Sequence, residues 1–574
     1  MPLRQSLGTI RRIKRDRTKE MTPHMPKTNH YDSRILFFCL LLCLLFAYTW
    51  ATPFRDIYGL ETRNALMARE MTEGGLTLIP HALGRPYPDY PPLYFWMATL
   101  FSMPLGQVST LSIVLPSALS AIGLVTLTFC LGRGISRRTG WLAALILATC
   151  PDFWMKAGSG TIDMLLAFHV TATILCLWFR DRATSFKNRM LYATGVPVFL
   201  ALAFLTKGPL GIVLPGAAWG GYLLCERRLR DVVLFSLFLA CMGLLCIGGE
   251  LAIVRKTGGA ELVREVVKMQ VTERLGQKAN HPFYYYLICL AGIGHLWWIF
   301  CYPVLARFRA GIQKNGWIAG FRQAMPVRPV YRLTLVWFLS TLAIFTLAST
   351  RHGRYLLPLF PALSILLAAG TERLPDRDDI PHPRIWETGA GLLIVLFLVD
   401  GVGFILLYPR FIFVPIPSIL IWMAAVSGGW VVIRKRIRDG LRPVALIFLV
   451  LAAGLSGVNL MALPAISRRA SGRAFVMAAE SQAEARTPVV IYNISADGDG
   501  VKYALHSSRK PSTLRFIDGP EALRNVPRPC LLIARDRDEK EMRQGFLPDE
   551  RRTPVARGRI RSKRLSAYLL KAGH

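Results

Sequence analysis

The 574 residues are 52% apolar and only 18% charged, with a mean hydropathy of +0.36; that leaves too few polar side chains to cover the roughly three or four domains a soluble chain of this length would form. An ordinary cytosolic enzyme, a disordered chain and a fibrous protein are excluded, and an α-helical multi-pass membrane protein is indicated. The net charge of +34 would suggest nucleic acid in a soluble protein, but the bases lie mostly between apolar blocks, where they orient a membrane protein, so no nucleic-acid partner is expected.

Residues 1–34 are polar and basic, with Arg11, Arg12, Lys14, Arg15, Arg17 and Lys19 close together, and read as a cytoplasmic tail. The apolar run 35–51 reads as a retained helix, because many more spans follow it. A long outer loop, 52–90, comes next. The stretch 91–106 is short and opens on Pro91-Pro92, so it reads as a helix that dips in and returns or lies at the interface. Further apolar blocks lie near 111–131, 141–155, 163–179, 191–206, 208–225, 232–254, 284–305, 333–349, 355–370, 388–407, 417–433 and 443–465. With the first helix they make about 13 transmembrane helices and a transmembrane domain over 35–466.

An odd number of spans puts the chain ends on opposite sides. Every predicted inner loop is basic: Arg133, Arg137 and Arg138; Arg180, Arg182, Lys187 and Arg189; Arg227, Arg228 and Arg230; six bases from Arg307 to Arg332; Arg373, Arg377 and Arg384; and Arg434 to Arg442. This is the pattern of cytoplasmic loops. Residues 467–574 then read as a small extracytoplasmic α/β domain, with strands at Pro488–Tyr492 and Cys530–Ala534. Ten of the eleven cysteines sit in or at the end of apolar blocks and Cys530 in a polar region. They suggest neither a disulfide framework nor a zinc site.

The outer segments carry the candidate chemistry. In the first loop, Ala65, Leu66, Met67 and Met71 suit a helix lying along the membrane surface. Glu61 and Arg63 open that helix, where unpaired backbone N–H groups favour an anion. Asp56 precedes it. In Tyr87-Pro88-Asp89-Tyr90-Pro91-Pro92 the prolines fix an extended chain, and an aromatic belt explains the neighbouring rings better than it explains Asp89. Asp163 opens a span on the same side, Lys207 sits in a tight turn, and Arg351, His352, Arg354 and Tyr355 open another span. Each charge alone could simply snorkel to water. Ionisable groups from five segments on one face point instead to a site.

The strings Glu61-Thr62-Arg63, Ala68-Arg69-Glu70-Met71, Tyr87-Pro88-Asp89-Tyr90-Pro91-Pro92-Leu93, Ile162-Asp163-Met164, Thr206-Lys207-Gly208-Pro209 and Tyr355-Leu356-Leu357-Pro358 occur in family order. Together they resemble the membrane glycosyltransferases of the lipid A aminoarabinose transferase and protein O-mannosyltransferase superfamily. The resemblance covers most of residues 35–370 and implies a glycosyltransferase-C-like fold. It implies a polyprenyl-phosphate-linked sugar donor, a lipid, glycan or protein acceptor, and transfer at the non-cytoplasmic face of the inner (plasma) membrane. It assigns donor-phosphate binding to Arg63, Lys207, Arg351 and Arg354, and a substrate pocket to Asp89, Tyr90 and Tyr355. The family usually carries Asp-Glu where this chain has Leu60-Glu61. The catalytic carboxylate then falls to Glu61, Asp56 or Asp163, with Glu61 favoured by its place beside Arg63. The aminoarabinose transferase branch commonly has Lys where this chain has Tyr90.

No cofactor is certain. Asp89 and His281 would share a divalent cation if two outer loops meet. Two other functions compete with transfer. A transporter or flippase for lipid-linked sugars would place its charges near the midplane in repeated halves; here they collect at one face and no repeat is evident. A scaffold with a lost active site would explain Leu60, against which stand Asp56, Glu61, Asp89 and Asp163.

Overall fold

The structure, a computed structural model, describes residues 30–268, 280–294, 328–371, 416–436, 442–546 and 553–571, with the single residues 309, 313 and 395. Residues 1–29 of the basic tail, the expected span at 388–407 apart from residue 395, and the basic residues Arg373, Arg377 and Arg384 lie outside the described residues. Residues up to Phe46 form one unit and those from Ala47 onward another. The first unit contributes most of helix α1, His30–Thr49.

Nine helices among the described residues are long and apolar enough to cross a membrane. After α1 come α2 (Glu61–Gly74), the short strands β1 (His81–Ala82) and β2 (Arg85–Pro86), and α3 (Leu93–Ser102). At ten residues α3 is too short to cross, as its double-proline start implied. Helix α4 (Thr110–Arg133) is capped by Ser109, which trades hydrogen bonds with Ser112. The block expected to span at 141–155 is instead broken. Helix α5 (Arg137–Ala148) stops, Thr149-Cys150 is non-helical, and α6 (Pro151–Ala157) restarts on its proline. The residue before a proline is pushed out of the helical region, and Pro151 lacks the N–H a continuous helix needs.

The long membrane helices follow: α7 (Ile162–Arg182), α8 (Phe186–Lys207), the shorter α9 (Leu210–Cys225) and α10 (Leu229–Val267). Helix α10 bends at Gly258–Gly259. Of the block expected at 284–305, α11 (Tyr285–Gly294) is described. Then come α12 (Pro329–Leu347), a 3₁₀ segment Gly353–Leu359 running into α13 (Phe360–Thr371), α14 (Ile416–Arg436) and α15 (Arg442–Gly457). Through a π turn α15 continues as α16 (Leu463–Ser471).

Gly472, at φ 77°, ends α16 and turns the chain into α17 (Arg473–Glu480). A five-stranded sheet follows, in the order β4-β3-β5-β7-β6. Its strands are β3 (Val489–Tyr492), β4 (Arg515–Ile517), β5 (Cys530–Arg535), β6 (Ala556–Ile560) and β7 (Lys563–Leu570). β3 runs parallel to β4 and β5; β7 is antiparallel to β5 and β6. Helix α18 (Val501–His506) lies between β3 and β4.

Helix α2 does not lie along the membrane surface as its apolar residues suggested. It is buried from both sides. Leu66 is fully buried in the core of the C-terminal domain with Phe475, Val501, Tyr503 and Ala504. Met67 and Met71 pack on Tyr94, Phe95, Ile162 and Leu165. Arg69 donates to the carbonyls of Ala504, Leu505, Ser507 and Arg509 at 2.9–3.2 Å. Ala504 and Leu505 lie in the last turn of α18, where a helix leaves acceptors unsatisfied, and Ser507 and Arg509 follow it. Asp56 adds a second tie, accepting from the Ser471 hydroxyl at 2.8 Å and lying 3.6 Å from Arg473. The segment between α1 and α4 is thus the plate on which the C-terminal sheet region docks.

His506 sits at this junction. Burial, opposed in part by the Asp56 carboxylate, pushes its pKa down to about 4 from 6.5. A histidine held neutral stabilises the folded state above its unfolded pKa, and the contribution is lost as pH falls through the folded value. The full effect is about 3 kcal/mol at 1.36 kcal/mol per unit. Thermal stability is therefore expected to drop between pH 6.5 and 4 in the wild type and to drop less in His506→Gln. Parallel pH profiles for the two would contradict this.

Candidate active site

The end of α8, the start of α7 and the 3₁₀ segment bring three charges together. Gly208, at φ 65°, ends α8 and lets Pro209 start α9 at once. This sets Lys207 at a helix C-terminus, while Asp163 lies in the first turn of α7; both placements suit the helix dipoles. Lys207 Nζ contacts Asp163 Oδ1, and Arg354 Nε lies 3.2 Å from Asp163 Oδ2. Asp163 and Lys207 are buried. The Tyr355 ring backs both cations, with Lys207 Nζ 4.2 Å and Arg354 Cζ 5.2 Å from its centroid. Such contacts hold a cation without neutralising it. His352 packs edge-on against Tyr355 at 5.2 Å. Burial first, then the Arg354 charge, lower the His352 pKa.

This triad opens into a cavity of about 500 Å³. Arg63 lines it from α2, donates to the Tyr87 hydroxyl at 2.7 Å and lies over that ring at 5.2 Å. Tyr90 also lines it. So do Leu60, Thr62, Asn64 and Thr161 from the membrane part, and Ala470, Gly498, Val501, Lys502 and Arg561 from the C-terminal part. Among the described residues Asp163 is the one carboxylate in the lining. Leu60 is 51% exposed and lines the same space.

Several expected site residues are placed elsewhere. Glu61 is not in the cavity wall. It accepts from Arg55 Nη1 and Nη2 at 2.7 and 2.9 Å and from the Gly160 N–H at 2.9 Å. Arg55 Nη2 also donates to the Gly158 carbonyl at 2.9 Å, and Asn64 to the Gly160 carbonyl at 2.8 Å. Gly160 permits this close approach: a Cβ there would lie 2.1 Å from Ile113. The pair ties the start of α2 to the turn before α7 and so aims Asp163. Asp56 is spent on the domain junction. Arg351 donates to the carbonyls of His281 and Thr346, and its own N–H to Asn280 Oδ1 at 2.7 Å; it pins the loop that carries Arg354. Asp89 is outside the lining. The His281 ring stacks on Tyr285 with centroids 4.2 Å apart. Among the described residues no group of three or more His, Cys, Asp or Glu is arranged to hold a metal ion.

The bracing role of Glu61 makes a prediction about stability. Glu61→Leu strands a buried Arg55, which costs about 3–5 kcal/mol. The double variant Arg55→Met/Glu61→Leu removes the unpaired charge and is expected to recover most of that loss. Thermal unfolding of the purified variants measures both. A single variant as stable as the wild type would contradict the bracing role.

Sequence reasoning missed Arg55, Lys502 and Arg561. The Arg55–Glu61 pair joins an extended segment to a helix start, so no periodicity announces it. Lys502 and Arg561 belong to a region read as a separate domain.

This helical arrangement, with the soluble sheet at its end, is the glycosyltransferase-C fold of a multi-span membrane protein. A solved structure of ArnT from Cupriavidus metallidurans bound to undecaprenyl phosphate superposes with a TM-score of 0.70 at 18% identity, covering 95% of this chain and 100% of that one. The family model "Dolichyl-phosphate-mannose-protein mannosyltransferase" matches residues 89–249. Proteins named undecaprenyl phosphate-alpha-4-amino-4-deoxy-L-arabinose arabinosyl transferase are similar in sequence. The one from Pectobacterium carotovorum is 26% identical over 358 residues, 61% of this chain and 62% of that protein. One from Pseudomonas aeruginosa is 28% identical over 339 residues, 57% of this chain and 58% of that protein. The chain thus spans about three fifths of the length of these relatives, and it resembles the lipid A aminoarabinose transferases within this fold.

Proposed function

We propose that this protein is a membrane glycosyltransferase that takes a sugar from a polyprenyl-phosphate-linked donor. One observation carries the reading: Asp163, Lys207 and Arg354 meet at a cavity whose other wall holds Arg63. A donor phosphate takes charge-assisted hydrogen bonds from these cations. An acceptor oxygen attacks the anomeric carbon, the bond from that carbon to the phosphate oxygen breaks, and the polyprenyl phosphate leaves with the electron pair. Lys207, Arg354 and Arg63 stabilise the charge that grows on it. Asp163 faces the incoming oxygen. A hydroxyl acceptor gives it the proton; an acceptor phosphate is already ionised and needs only positioning. Glu61 keeps α2 and α7 in register for this step.

The names of the similar proteins make undecaprenyl-phosphate-linked aminoarabinose the first donor to test, and the resemblance of the sequence motifs makes lipid A the first acceptor. Leu60 and Tyr90 depart from the aminoarabinose branch, which keeps another envelope glycan or a protein among the acceptors. Mass spectrometry of lipid A and envelope glycans, with and without the protein, tests this reading. A glycan or lipid that loses one sugar residue supports it; an unchanged envelope counts against it.

The basic loops support an inner-membrane orientation with the N-terminus cytoplasmic and residues 467–574 periplasmic. Impermeant cysteine labelling from outside is expected to reach residues placed in the C-terminal domain. Labelling at Arg436 instead would reverse the orientation.

A further inference from the structure

We propose that the C-terminal domain supplies part of the substrate site: Arg561, beside Lys502, binds the anionic group of the acceptor. The inference rests on the glycosyltransferase reading and names the residues that hold its second substrate.

Charge is the first argument. Among the described residues five cations, Arg63, Lys207, Arg354, Lys502 and Arg561, line the cavity with the single carboxylate Asp163. A donor phosphodiester brings one negative charge, fewer than the cations can take. The donor's polyprenyl chain lies in the membrane, beside α2, the end of α8 and the 3₁₀ segment, which carry Arg63, Lys207 and Arg354. The remaining two cations belong to the soluble domain and approach from the other side.

Backbone geometry is the second argument. Strands β6 and β7 pair through Ile560 and Lys563, which leaves Arg561 and Ser562 as a two-residue turn. Arg561 stands at φ 58°. Turns of this length favour Asn or Gly where φ is positive. An arginine there is strained, and such outliers gather at functional sites. The strain serves no internal ion pair, since Arg561 makes none among the described residues. Its N–H donates to the Ala470 carbonyl at 3.2 Å, which fixes the turn at the cavity rim.

The turn and α18 are also tied to each other. Asp499 accepts from Lys502 at 2.8 Å and pairs with Lys563, next to the turn, at 2.7 Å. Lys502 and Arg561 therefore present to the cavity as one unit, held by a buried carboxylate that is shared with Arg535 at 3.6 Å.

The substitution Arg561→Gly separates binding from folding, because glycine suits the backbone better than arginine. The full-length protein in nanodiscs is titrated with undecaprenyl phosphate, with lipid A, and with lipid A stripped of its phosphates. Arg561→Gly is expected to keep or raise Tm and to leave undecaprenyl phosphate affinity within about twofold. Affinity for intact lipid A should fall about 10- to 100-fold, the range of one charge-assisted hydrogen bond. Arg561→Lys should restore part of it. Wild-type protein should bind the stripped lipid A as weakly as Arg561→Gly binds the intact form.

An equal loss of undecaprenyl phosphate affinity would assign Arg561 to the donor and overturn the proposal. Unchanged lipid A affinity in Arg561→Gly, or a wild type that ignores the phosphates or does not bind lipid A, would overturn it too. Binding that follows the expected pattern without any sugar transfer would refute the reaction and leave the binding assignment standing.

Discussion

Asp163→Asn is expected to lower sugar transfer about 10²–10⁴-fold, the usual contribution of a positioned acid or base. Binding of undecaprenyl phosphate should persist or tighten in the same variant. The reason is the ion triad: Asp163 occupies Lys207 and Arg354 before substrate arrives, and removing its charge frees both cations for the phosphate. Asparagine keeps the size, and neutral hydrogen bonds to Lys207 and Arg354 remain available. Glu61→Gln serves as the comparison. Its carboxylate is engaged by Arg55 and the Gly160 N–H, so transfer per folded molecule should fall far less than in Asp163→Asn. If Glu61→Gln abolishes transfer and Asp163→Asn does not, the roles are reversed.

Lys207→Ala is expected to weaken undecaprenyl phosphate binding about 10- to 150-fold, which corresponds to about 1.5–3 kcal/mol for a charge-assisted hydrogen bond. Arg354→Ala should have an effect of the same order. The two cations share Asp163 and the Tyr355 ring, so their effects should not add. Lys207 is the more buried of the pair, with side-chain exposures of 7% against 19%, and its phosphate contact is the less screened by water. Calorimetric titration of the purified variants measures both. Donor affinity unchanged in each, with normal folding, would remove the triad from the donor site.

The membrane architecture is legible in the sequence because it is written in long apolar runs. The failures have local causes. At 141–155 the stretch is apolar on average, yet Pro151 divides it, and hydropathy does not register a missing N–H. Helix α2 looks amphipathic enough for a membrane surface, but its apolar residues serve two buried interfaces, one with the C-terminal domain. Lys207, Asp163, Arg354 and Arg63 stood out in the sequence because each is a charge at the end of an apolar span or helix, and all four line the cavity. Glu61 and Arg351 carry the same signature, but their side chains are engaged by Arg55 and the Gly160 N–H and by the His281 and Thr346 carbonyls. A sequence shows that a charge stands at a membrane boundary; it does not show what that charge faces. For Glu61 the answer depends on Arg55, six residues away through a non-helical turn, and for Arg351 on two distant backbone carbonyls.

The central claim is that the Asp163 cavity transfers a sugar rather than carrying a lipid-linked sugar intact. Purified protein in liposomes, given undecaprenyl-phosphate-linked aminoarabinose labelled in the sugar together with lipid A, tests it most directly. The account predicts label on lipid A and release of undecaprenyl phosphate in equal amount, both lost in Asp163→Asn. Movement of intact labelled donor across the bilayer, with no undecaprenyl phosphate released, would contradict it.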